Sequence, residues 1–177
     1  KQEIIRRYYR NACEYALGFA DRESVEKAKL LVEEIGMDPE DRTTVRHAKD
    51  AMIAAKKEKK GYGNTFCGAA MELDSGDIVS GKNSPLMHAS SSLVLNAIKT
   101  LADIPDKIHL LPPVIIDSIS KLKEGLSNTS NASLDLEETL IALSISAATN
   151  PTAQIALEKL KDLKNCEVHL THMPTPG

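Results

Sequence analysis

His88 is the candidate acid–base residue of this sequence. It is followed by Ser90, Ser91 and Ser92, and Ser84-Pro85 precedes it. An imidazole titrates near neutrality, and beside hydroxyl donors it suits proton transfer at a phosphoryl group or binding of one. Ser84, Ser90 and Ser91 are therefore ligand-binding candidates. The plainer alternative is that Ser84 caps a helix, His88 is a satisfied structural histidine, and the serines allow close helix packing. Serine competes for backbone hydrogen bonds inside helices, so three in a row need one reason or the other. A second group is His169-Leu170-Thr171-His172, with the polar run Pro174 to Gly177 behind it. Alternation places His169 on the opposite strand face from Leu170, and His172 beyond the strand. His169, His172 and Thr175 join the candidate list because polar loops at sheet ends often carry function. No neighbouring Cys or carboxylate completes a ligand set, so no metal and no cofactor are assigned.

These residues need elements to hold them. Residues 1–62 read as a helical subdomain. Ile4, Ile5, Tyr8, Tyr9, Ala12 and Ala16 recur at helical spacing up to Gly18, and a second helix runs from Arg22 to Ile35 with Gly36 as its stop. Asp38-Pro39-Glu40 predicts the start of a third, running to the lysines at 56–60. Residues 63–177 read as an α/β domain. A hairpin is predicted from Thr65–Leu73 and Ile78–Gly81 around Asp74-Ser75-Gly76-Asp77. Ser84 then caps a helix carrying Leu86, Leu93, Ala97 and Leu101 inward. Lys107–Leu111 reads as a short buried strand, and Pro112-Pro113 opens the next helix. Residues 125–133 form a Ser/Asn/Gly-rich loop. Asp135 with Glu138 predicts a capping box, Asn150-Pro151 caps a last helix, and Cys166–Thr171 is a final strand. Strands alternating with helices imply a three-layer sandwich with a mostly parallel sheet.

Composition narrows the function classes. The 177 residues suffice for a real core, and with no Trp, two Phe and four Tyr that core is aliphatic. Residues 1–60 hold 14 basic and 12 acidic side chains, a balance of +2; residues 61–177 hold 8 and 13, a balance of −5. Neither value is the basic footprint of a nucleic-acid binder, and stacking aromatics are scarce, so nucleic acid is not an expected partner. Three cysteines without close spacing argue against a disulfide framework. With no membrane-length apolar run or signal peptide, a cytoplasmic protein is expected. Lys1 in place of Met, and a loop at the last residues, predict a segment of a longer chain.

A hairpin, a helix behind a polar turn, a strand and a Pro-initiated helix resemble the cytidine-deaminase-like fold. That resemblance implies zinc ligands at two helix starts and a glutamate proton shuttle. Here the first motif reads His88-Ala89-Ser90 and the second Pro112-Pro113-Val114-Ile115-Ile116, so the shuttle and both thiolates are missing. It also implies that the helix starts at Ser84 and Pro112 face one cleft, where two dipoles would favour an anion. Four stretches resemble a bacterial family known as domain of unknown function 1846: Lys1 to Tyr8, Ser84 to Ile98, Glu138 to Ser144 and Asn150 to Gln154. The resemblance implies the C-terminal part of a longer protein whose upstream region has a phosphate-binding type of loop. It carries no activity across.

The sequence thus predicts a metal-free deaminase-like domain serving assembly or completing a ligand pocket. Its expected partners are the upstream region of the same protein and further copies in a homo-oligomer. The alternative is a metal-independent enzyme acting on a phosphorylated or nucleotide-like small molecule. There His88 would be the acid–base group, the serines the anion cradle, and the His169/His172 loop a cover.

Overall fold

The structure, a computed structural model, describes residues 1–126 and 133–173. Most of the Ser/Asn/Gly-rich loop and Thr175 lie outside the described residues. The chain divides into two compact units, Lys1–Arg46 and His47–Gly177.

The first unit is a helical hairpin with a short turn after it. Helix α1, Gln2–Ala16, buries Ile5 completely and packs on α2, Arg22–Glu34, which buries Ala28 and Val32. Both helices end as their glycines dictate. Gly18 and Gly36 take positive φ, 80° and 63°. The amides behind them turn back, Phe19 N–H to Glu14 O at 2.7 Å and Met37 N–H to Val32 O at 3.4 Å. Asp21 caps α2 through the Ser24 amide at 2.7 Å. The capping signal at Asp38 is real, but it serves only a 3-10 turn, Pro39–Asp41. Arg42 then leaves helical geometry (ψ 126°), and α3 starts afresh at Thr43 and runs to Lys57.

The second unit holds a three-stranded sheet of order β2-β1-β3, with β1 Gly68–Glu72, β2 Ile78–Lys82 and β3 Val168–Leu170. Most of α3, from His47 on, belongs to it, and four further helices complete it: α4 Ala89–Leu101, α5 Pro113–Leu126, α6 Leu136–Ala147 and α7 Pro151–Glu158. A 3-10 turn, Lys159–Leu163, follows α7. Both predicted caps in this stretch are present. Asp135 and Glu138 form a reciprocal capping box on α6, and Asn150 accepts from the Thr152 and Ala153 amides of α7.

The predicted three-layer sandwich with a mostly parallel, deaminase-like sheet is wrong. The described residues form seven α-helices and one small sheet, and both strand pairs in it are antiparallel. The error has a local cause. Lys107–Leu111 is irregular chain, not a strand. Its apolar run buries Leu110 and Leu111 in the helical core, and the Leu110 carbonyl accepts from Ser146 Oγ at 2.6 Å instead of pairing with a strand. Without that strand no crossover unit exists, and β3 pairs beside β1 in the opposite direction, Ala69 facing Leu170 and Met71 facing Val168.

Two apolar clusters fill the unit. One lies where β1 and β2 meet α4, through Ala69, Met71, Val79, Ala89, Leu93 and Ala97. The other joins α4, α5, α6 and α7, with Ile98, Ile116, Leu134 and Leu143 at its centre. Glycine sets how closely helices approach the sheet. A Cβ on Gly68 would run into the Ala48 carbonyl of α3, and one on Gly81 into the Leu93 amide of α4.

Candidate functional site

The start of β1, the ends of β2 and β3, and the start of α4 belong to one end of the sheet. Side-chain-to-backbone bonds hold that end together. Asn83, buried just after β2, accepts from the Cys67 amide at 2.8 Å and donates to the Thr65 carbonyl at 2.9 Å. Thr171 extends the β1–β3 pairing past β3: its Oγ1 accepts from the Gly68 amide at 2.9 Å, and its own amide donates to the Gly68 carbonyl at 3.0 Å. Sequence reasoning missed both residues. Only the Asn83-Ser84-Pro85 turn composition could have flagged the first.

His88 is the N-cap of α4, four residues later than the start predicted from Ser84. Its imidazole makes no capping bond. Its backbone fixes it instead, with its amide donating to Leu134 O at 2.9 Å and its carbonyl accepting from the Ser92 amide at 3.0 Å. Ser84 closes the preceding turn, its Oγ accepting from the amides of Leu86 at 3.2 Å and Met87 at 3.3 Å. Leu134 braces this stretch from the other side, bridging Met87 and accepting from the buried Ser91 hydroxyl at 3.2 Å. The brace is itself anchored. Lys123 donates to the Ser133 carbonyl and to the Glu138 carboxylate, each at 2.7 Å. Ser90, half-buried, lies on the first turn of α4.

His172 follows Thr171 directly and is half-buried. Its Nδ1 is sealed from solvent, with no hydrogen-bond partner among the described residues. Burial pushes its pKa down, and the His88 imidazole lowers it further. The two imidazoles are thus electrostatic neighbours, one on the α4 cap and one past β3. His169 does not join them. It pairs with Ala70, on the opposite face from Leu170, which packs with the α4 cluster. Cys67, at the same sheet end, is buried and its thiol is pushed up by burial, which makes it an inert core residue rather than a nucleophile.

The arrangement offers a half-buried imidazole whose Nδ1 has no partner among the described residues, a second imidazole near enough to act on its charge, and the first turn of a 13-residue helix that no side chain caps. Such a set can hold an anionic group and exchange a proton with it. Among the described residues no three His, Cys, Asp or Glu side chains gather as metal ligands, and no helix is long and apolar enough to cross a membrane. A cavity of about 330 Å³ in the first unit is lined by Glu3, Arg6, Arg7, Arg10, Asn11 and Glu14 of α1. Arg6 is taken up by Glu3 and Arg10 by Glu14, so this groove is a solvated, ion-paired helix face.

The family profile described as "Domain of unknown function DUF1846, C-terminal" matches residues 40–177. UPF0371 proteins of Clostridium botulinum strains Eklund 17B, Alaska E43 and Langeland are each 46% identical over 172 residues, 97% of this chain. The chain spans 34% of the length of these relatives.

Proposed function

Because this chain belongs to the DUF1846 family, whose C-terminal profile it matches, we propose that it completes a binding site for a phosphorylated small molecule. His88, His172 and the first turn of α4 hold the phosphoryl group, and the rest of the longer protein encloses the remainder of the ligand. The observation that carries this reading is the buried Nδ1 of His172, without a partner among the described residues and within electrostatic reach of the His88 imidazole. A buried polar atom without a partner is costly, and a ligand oxygen admitted by a small opening of the residues around it would satisfy it. The relatives' length supports a shared site, since two-thirds of each lies outside this segment.

An anion between the imidazoles favours their protonated forms, so binding takes up a proton and strengthens as pH falls. The test is a thermal-shift titration of the full-length protein with inorganic phosphate, sugar phosphates and nucleotides at about pH 6 and about pH 8. A ligand at about a hundred times its dissociation constant stabilises by roughly 2.7 kcal/mol. His88→Ala and His172→Ala should each remove most of that shift. Shifts unchanged in both variants would place the ligand elsewhere.

A second reading uses the same pair as acid and base, since burial keeps His172 in the neutral form that can accept a proton. It requires His88→Ala to abolish turnover in the full-length protein with the fold intact.

A further inference from the structure

Helix α6 has two apolar sides. Its inner side buries Ala142, Leu143 and Ser146, while Ile141, Ser144, Ile145 and Ala148 are exposed at the three- and four-residue spacing of one helix face. Not one charged side chain occurs between residues 139 and 157, a stretch covering most of α6 and α7. A helix at a solvent boundary normally carries charge on its outer face. The neighbours continue the pattern, for α5 and α7 both pack against α6. Val114 and Leu122 on α5, Ile141 and Ile145 on α6, and Ile155 on α7 are 52–68% exposed. Three adjacent helices therefore present large aliphatic side chains outward, and the middle one carries no charge after its first turn, where Glu137 and Glu138 lie. Loss of charge at the centre of an apolar patch is the composition of an interface core.

We infer that this face packs against the upstream part of the same polypeptide. The length of the relatives argues for that occupant: this chain covers 34% of them, and the matching profile is the family's C-terminal one. About two-thirds of each relative is thus chain tethered to this domain. Tethering supplies an effective concentration in the range of mM for a short linker, whereas a second copy must find the face by diffusion.

The experiment is carbene footprinting of the full-length protein across a wide range of protein concentration. The 139–157 peptide is read residue by residue, with buried Leu143 as the internal floor. Packing in cis predicts that Ile141, Ile145 and Ile155 label as weakly as Leu143 at every concentration. Ile145→Arg should raise labelling of Ile141 and Ile155 above the Leu143 floor, and Ile145→Ser serves the same purpose if the arginine variant does not fold. Labelling that falls only as concentration rises would assign the face to a second copy and overturn the inference. Strong labelling at all concentrations would overturn it too.

Discussion

Gly81 of β2 lies directly under Leu93 of α4, so close that a Cβ on the glycine would meet the Leu93 backbone nitrogen and Cα. This contact sets the depth at which α4 sits on the sheet, and with it the position of the His88 cap. Gly81→Ala should destabilise the protein by about 1–3 kcal/mol or more, because the obstacle is backbone that cannot rotate away. Gly76→Ala, where nothing lies within 4 Å of the added carbon, tests instead the cost of its positive φ of 86°. Denaturant midpoints of the two variants separate overpacking from backbone strain, since only Gly81→Ala should also disturb ligand binding at His88.

The serine triplet divides by burial. Ser91 is fully buried and donates to Leu134 O, the carbonyl that also receives the His88 amide. Ser91→Ala should cost about 1 kcal/mol. Ser90→Ala, half-buried on the same turn, should stay within about 0.5 kcal/mol in stability. Equal losses from the two changes would mean that the Leu134 brace contributes nothing. If the proposed site is right, Ser90→Ala still weakens phosphate binding.

His172 gives stability a pH dependence of definite sign. Its folded pKa lies below the ordinary value of 6.5, so between the two values the unfolded chain holds more protons. Stability should therefore fall as pH drops through about 6.5 and level off below the folded value. His172→Gln should flatten this part of the profile, measured by urea denaturation from about pH 8 to about pH 5. Saturating phosphate should also flatten it, because the anion returns the pKa toward or above its ordinary value.

Local signals were legible in this sequence, and long-range ones were not. Gly18, Gly36, Asp135 with Glu138, and Asn150-Pro151 each act within one helical turn, and each does what its chemistry predicts. Lys107–Leu111 misled because a five-residue apolar run has no period that separates a strand from buried irregular chain. Whether Leu110 pairs with a strand or with Ser146 is decided by α6, far along the chain. Ser84 failed in a similar way. Its hydroxyl does bind the two amides expected of a cap, but Ser133 and Leu134 hold residues 84–88 in a turn and delay α4 to Ala89. His88 and His172 were candidates by residue type alone. The alternative reading set the His169/His172 loop over His88, but that only His172 comes within electrostatic reach of it follows from β3 returning antiparallel beside β1, which no local signal marked.

That return has a consequence for how the protein is made. The bond between Gly68 and Thr171 joins residues 103 positions apart, so β1 keeps an open edge until nearly all of this segment has been synthesised. At roughly 5–20 residues per second, that interval lasts several seconds or more, with only the β2 side of β1 paired. An unpaired edge is a template for other chains. Truncations that stop before Val168 should therefore leave a hairpin prone to aggregate, and the pairing that seals it is the same one that delivers His172 to its place.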